Sequence, residues 1–223
     1  MLKKNRALLG SEWEFFLHDD SANQKIMDAA FPEHADAYRN IRRGVVQADI
    51  ARCVFLYHFG GWYFDTDYRL LRSFDSPSDF EGADSSKVLA DYSIVLPVSG
   101  IAGKDQHLVC NSIFASEKGH PFWRAFIDHI FSTDGIDGLA EGNVEATTGP
   151  LGLSRFYLNR KDEFPDVFLP EKKFFHPRIT LGGFWSDAGK ECYGIHWCWG
   201  SWRSKNLVRK VKNYTTRKVT SWL

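Results

Sequence analysis

The 223-residue sequence has no excess of charge: 28 Lys and Arg offset 28 Asp and Glu. Bulk charge therefore supplies no argument for nucleic acid as a partner. Cysteine is scarce, with four residues and no C-x-x-C pair, so neither a zinc ribbon nor a dithiol redox site is indicated. Cys53 and Cys110 stand among apolar neighbours and read as small core residues. No apolar run approaches the roughly 20 residues that a membrane span needs. The start, Met1-Leu2-Lys3-Lys4, is not followed by an apolar signal core. Free thiols without a signal segment lead to the expectation of a reducing, cytoplasmic setting. Internal repeats and low-complexity linkers are also missing. The length suits one α/β domain with a sizeable core and is short for two. The expectation is a single domain over residues 1–223, with its core at 13–202 and a tail at 203–223.

Aromatic residues are plentiful, at 15% of the chain with 8 Trp and 18 Phe. They can fill a core or stack on sugar and base faces, and composition alone leaves both open.

Along the chain, a short helix is expected first, then a strand at Trp13–Leu17. Residues 21–43 are polar and read as broken helix, with Pro32 as a break. From Gly44 to Phe59 the apolar residues Val46, Ile50, Cys53, Val54 and Leu56 recur at helical spacing. Gly60-Gly61 is a natural C-cap for that helix. Trp62-Tyr63-Phe64 reads as a short buried strand, and Asp65-Thr66-Asp67 follows at its end. Ser93–Val98 and Cys110–Ala115 are further strand candidates; Pro121–Phe131 and Thr148–Leu158 read as helices. Helices alternating with short apolar strands predict an α/β layered fold. In such sheets ligands sit beyond the carboxyl ends of strands, which is where the acidic triplet falls.

A lone D-x-D occurs often by chance, and on its own reads equally as a pair of solvated loop carboxylates. Context adds weight. Two carboxylates one residue apart, after a buried strand, can turn their oxygens toward one hard divalent cation. Such an ion bridges nucleotide phosphates and neutralises charge on a leaving diphosphate. Asp49 and Arg52 stand at i and i+3, on one face of the preceding helix. They are either an intrahelical ion pair worth a few tenths of a kcal/mol or a carboxylate for sugar hydroxyls beside a guanidinium for phosphate.

The run Ala48-Asp49-Ile50-Ala51-Arg52, then Leu56-Tyr57, then Gly60-Gly61-Trp62-Tyr63-Phe64-Asp65-Thr66-Asp67, resembles the A-D-x-x-R…L…G-G-x-Y-x-D-x-D signature of glycosyltransferase family 32. Asn111–Ser116 with Gly119-His120-Pro121, Thr148-Gly149-Pro150, and His196 with Gly200-Ser201-Trp202 are similar to later segments of that family. The resemblance implies a GT-A-like (Rossmann-like) α/β fold, a nucleotide-diphosphate sugar donor, Mn²⁺ or Mg²⁺, and retention at the anomeric carbon. It implies that Asp65 binds ribose or sugar, Asp67 the metal, and Asp49 and Arg52 the donor sugar. Asn111 would lie near the reaction centre. His196 and Ser201 would complete the metal and diphosphate shell, with Trp202 against phosphate or sugar. An imidazole ligand would favour Mn²⁺. Cys198 and Trp199 read as packing residues, and His58 and His129 as structural or surface residues. His120-Pro121 reads as a helix start.

The family's usual opening strand, I-P-K-I-I-H-x-x-W, has no counterpart before Trp13. The expectations are thus a GT-A-like fold lacking its first strand, and weaker hold on the nucleotide base. Residues 203–223 carry seven Lys and Arg and no Asp or Glu. They read as a solvated helix face or as an attraction to anionic lipid at the inner membrane surface. The acceptor implied is a polysaccharide, lipopolysaccharide or glycolipid. The rival reading is a degenerate transferase that binds sugar or a partner without turnover. A D-x-D phosphohydrolase lacks the His/Asp cluster that a two-metal site needs.

Overall fold

The computed structural model describes residues 1–75, 88–101, 107–132, 144–177 and 191–197. Helix α1 covers Leu2–Leu9 and α2 Asp20–Ala30. The Asp19 carboxylate caps α2 by accepting from the Ala22 N–H at 2.8 Å. Pro32 opens a 3₁₀ turn before α3 (Ala35–Arg39), in line with the expected break. Helix α4 then runs Gly44–Phe59. Apolar side chains surround most of it, so it is a central helix packed between α2 and α5 (Pro121–Ser132).

Gly60 ends α4 with φ 73°, a left-handed conformation that glycine adopts without strain. A Cβ there would lie 2.7 Å from the Lys118 backbone nitrogen. The Gly119 N–H donates to the Tyr57 carbonyl at 2.8 Å, so this glycine lets a distant turn close against the helix end.

The principal sheet has the order β1 (Gly61–Phe64), β6 (Ile113–Ser116), β3 (Ile94–Val95), β7 (Val167–Phe168). β6 is antiparallel to both neighbours, while β3 and β7 are parallel. Strand β2 (Tyr68–Leu70) pairs with β8 (Gly194–His196), and β4 (Val98–Ile101) with β5 (His107–Val109). Two short helices, α6 (Val144–Thr147) and α8 (Lys172–Phe175), flank α7 (Pro150–Arg160).

The α/β architecture matches the layered expectation. Alternation along β6 divides the core. Phe114 faces Ile50, Val54, Trp123, Phe126 and Phe156 on the helical side. Ile113 and Ala115 face Tyr68, Phe74, Phe175 and Tyr193 on the other. Most large rings are thus spent on packing. Cys53 and Cys110 are buried free thiols, as read from their neighbours. Among the described residues no helix is long and apolar enough to cross a membrane.

Several expectations need correction. Trp13–Leu17 is extended but pairs with no strand. Its side chains do the docking instead: the Trp13 indole donates to Asp75 at 2.9 Å, and Phe15 packs edge-on to Phe64. Phe16 and Leu17 stay 63% and 70% exposed. The expected strand at 93–98 breaks at Leu96-Pro97 into β3 and β4. Cys110–Ser112 turn, and β6 begins only at Ile113. Trp62–Phe64 are half-buried rather than buried. Asn5 of α1 was given no role from sequence, yet it is buried at 1% exposure. Its amide donates to the Tyr68 carbonyl and accepts from the Leu70 N–H, pairing the open edge of β2 as a backbone would.

Candidate functional site

The acidic triplet is a turn fixed by backbone bonds. The Asp65 N–H donates to the Ser112 carbonyl at 2.8 Å, and the Tyr68 N–H donates to the Asp65 carbonyl at 2.8 Å. The first bond anchors the turn beside β6, and the second leads the chain into β2. Register on β2 sets Tyr68 opposite His196. The Trp197 N–H donates to the Asp67 carbonyl at 3.1 Å. His196 Nε2 consequently lies 3.1 Å from Asp67 Oδ1 and 3.4 Å from Asp65 Oδ2. Ligand atoms of Asp65, Asp67 and His196 all fall within 4.8 Å of one another. Two hard oxygens and one imidazole nitrogen suit a divalent ion of the Mn²⁺ type. Among the sequence-predicted ligands, these three converge as expected.

Arg52 braces the triplet from behind. Its guanidinium pairs with Asp49 Oδ1 at 3.0 Å and Asp65 Oδ1 at 3.4 Å. It also donates to the Asn111 and Ala48 carbonyls and lies 5.1 Å over the Tyr63 ring. Burial pulls its pKa down, but Tyr63, Asp65 and Asp49 more than offset that, so it stays charged. The Tyr63 hydroxyl donates to Asp65 Oδ1 at 2.7 Å. Asp49, only 4% exposed, accepts from Asn111 Nδ2 on Oδ1 and from the Thr148 hydroxyl on Oδ2, both at 3.1 Å. Burial raises its pKa to about 6, against the opposing pull of Arg52 and Thr148. Both Asp49 oxygens are engaged inside the protein, so this carboxylate braces Arg52, Asn111 and Thr148. Sequence reading had offered it to sugar hydroxyls.

Asp49, Arg52, Tyr63, Asn111 and the three clustered residues border a cavity of about 730 Å³. Residues 9–84 match the family model described as "Glycosyltransferase sugar-binding region containing DXD motif". The segment holding the triplet thus matches a DXD-type sugar-binding region.

Two curated proteins, both from Schizosaccharomyces pombe, are similar to this chain. Inositol phosphoceramide mannosyltransferase 2 is 25% identical over 177 residues, covering 78% of this chain and 44% of the relative. Inositol phosphoceramide mannosyltransferase 3 is 25% identical over 202 residues, covering 84% and 52%. The chain thus spans about half the length of the curated relatives it matches. Among solved structures, the ligand-free glycosyltransferase domain of the YGT toxin aligns with TM-score 0.47 and 14% identity, over 68% of this chain and 52% of that one. The PaToxG glycosyltransferase aligns with TM-score 0.40 and 18% identity, over 67% and 46%.

Ser201 and Trp202 lie outside the described residues, as do Cys198, Trp199 and the basic segment 203–223. His120 accepts the Phe122 N–H on Nδ1 at the start of α5 and pairs with Asp166 at 2.9 Å, a helix-start role as expected. Two cavity residues, Tyr63 and His176, and one buried residue behind the wall, Thr148, escaped sequence reasoning. Tyr63 belongs to the matched signature, and Thr148 to the Thr148-Gly149-Pro150 segment, but neither was given a role. His176 carried no signal at all. Its ring borders the cavity beside His196, and its buried Nε2 has no hydrogen-bond partner among the described residues. Burial, with His196 and Lys172 adding to it, lowers its pKa to about 3. An unpartnered buried nitrogen costs about 1–3 kcal/mol and calls for an explanation.

Proposed function

We propose that the protein is a metal-dependent, retaining glycosyltransferase that moves a sugar from a nucleotide-diphosphate donor to a lipid-linked glycan or glycolipid acceptor. The observation that carries this reading is the convergence of Asp65, Asp67 and His196 on one point, with the charged Arg52 directly behind. A divalent ion bound there would supply positive charge where the leaving diphosphate gathers its negative charge. Arg52 adds a fixed guanidinium whose burial is offset by two carboxylates. Tyr63 holds the rotamer of Asp65, and the Asp49–Asn111–Thr148 bonds hold Arg52 and Asn111 at the cavity wall. The expected acceptor class is supported by the names of the two relatives, both inositol phosphoceramide mannosyltransferases. No carboxylate is assigned as nucleophile, because both Asp49 oxygens are hydrogen-bonded within the protein and the other two carboxylates belong to the triad.

The test is donor cleavage followed by mass spectrometry, using a panel of nucleotide sugars with Mn²⁺ and starting with a mannose donor. The protein should release free nucleotide diphosphate from at least one donor. Asp67→Ala should cut that rate by about a hundredfold or more while remaining folded, since several kcal/mol of charge stabilisation depend on it. A folded Asp67→Ala variant with full activity would refute the proposal. No cleavage of any donor, with binding retained, would instead support a sugar-binding protein without turnover. We extend the proposal to location: residues 203–223 would hold the protein against anionic membranes from the cytoplasmic side. Sedimentation with anionic liposomes, and its loss in high salt, tests that extension.

A further inference from the structure

We propose that His176 is a donor-binding residue, its imidazole N–H hydrogen-bonding an oxygen of the diphosphate held at Asp65, Asp67 and His196. The inference rests on the reading that a nucleotide diphosphate occupies the cavity.

The ring is held firmly, so its unpartnered nitrogen is not the slack of a loose side chain. The His176 backbone N–H caps α8 by donating to the Lys172 carbonyl at 2.7 Å. The carbonyl of Phe175, one residue earlier, accepts from the buried Tyr68 hydroxyl at 2.8 Å. Pro177 follows and restricts the backbone further. The imidazole meets the Tyr68 ring at 6.1 Å and the His196 ring at 6.2 Å, edge-on to both. Every one of these contacts fixes position, and none satisfies Nε2.

Metal ligation does not explain the nitrogen. The group of ligand atoms that lie within 4.8 Å of one another takes in Asp65, Asp67 and His196 but not His176. What lies beyond the metal in a nucleotide-sugar site is phosphate oxygen. A neutral imidazole offers one N–H donor, and a hydrogen bond to an anionic oxygen is among the stronger kinds. The ring borders the same cavity as the three clustered ligands and packs edge-on against His196.

Calorimetry with UDP and with GDP, each in Mn²⁺, tests this on the full chain. His176→Phe keeps a ring against Tyr68 and removes the donor; it should bind the better nucleotide about tenfold to a hundredfold more weakly. His176→Gln restores an N–H near the same point and should recover most of that loss. Parent-like binding by His176→Phe overturns the inference, and so does equal weakening in both variants, which would make the ring a packing piece. If His176→Phe does not fold, ¹⁵N NMR of the parent decides. The His176 ring resonances should shift on adding UDP with Mg²⁺, and unshifted resonances in a saturated sample overturn the proposal. Asp67→Ala separates the two levels of argument. Binding lost in Asp67→Ala but kept in His176→Phe leaves the transferase reading standing and removes only the role of His176. A parent that binds neither nucleotide removes both.

Discussion

Thr148→Val isolates one hydrogen bond to a buried carboxylate. Valine keeps the shape and deletes the hydroxyl that donates to Asp49 Oδ2. Asp49 is 4% exposed, so water cannot readily replace the lost partner. A hydrogen bond to a charged group is worth about 1.5–3 kcal/mol and a neutral one about 0.5–1.5. The cost must therefore depend on the charge of Asp49. Its folded pKa is raised from 3.8 to about 6. Between those values the folded protein keeps a proton that the unfolded chain has released, so stability falls as pH rises through that window. Deleting the hydroxyl raises the folded pKa further and steepens the loss. At pH 5 Asp49 is largely protonated, and Thr148→Val should cost about 0.5–1.5 kcal/mol. At pH 8 the carboxylate is charged and the cost should reach about 1.5–3 kcal/mol. Urea denaturation of parent and variant at both pH values measures the two gaps. Thr148→Ser, which keeps the hydroxyl, should show a gap that does not grow with pH. A Thr148→Val gap that is the same at pH 5 and pH 8, or larger at pH 5, would refute the reasoning.

Arg52→Lys should lower kcat/KM for donor cleavage by tenfold or more with folding retained. One ammonium cannot serve Asp49, Asp65, the Asn111 carbonyl and the Tyr63 face together. Steady-state kinetics at saturating Mn²⁺ reads this. Gly60→Ala should destabilise by about 1–3 kcal/mol, since alanine at φ 73° is strained and its Cβ meets the Lys118 backbone; the urea midpoint reports it. Asn5→Ala should release the β2 edge, costing about 2 kcal/mol for two vacated backbone groups. Hydrogen exchange at the Leu70 amide should accelerate more than exchange in α4, and unchanged exchange there would count against the edge-pairing role.

Much of the site was legible because its signals are local. The 3.6-residue spacing of Val46, Ile50 and Val54 gave α4, the glycine pair gave its end, and both precede the triplet in one continuous segment. His196 lies far along the chain, and only the resemblance of its segment suggested that it returned. What stayed hidden depends on partners that sequence does not announce. Trp13–Leu17 has strand-like composition, but a strand exists only when an edge is available, and here the side chains anchor it instead. The helical position of Asp49 suggested a carboxylate for sugar hydroxyls but does not reveal that Asn111 and Thr148 also hydrogen-bond its two oxygens. His176 became visible only when α8 and β2 brought it behind His196.

The pairing of β2 with β8 sets a schedule as well as a geometry. Asp67 and His196 are 129 positions apart, and α1 near the first residue locks the same β2 edge from the other side. During synthesis the triplet leaves the ribosome long before its imidazole partner exists. A nascent chain carrying the whole D-x-D signature would therefore hold only a two-carboxylate half-site. The three-residue cluster of Asp65, Asp67 and His196 therefore forms late, only once β8 has been synthesised and has docked on β2.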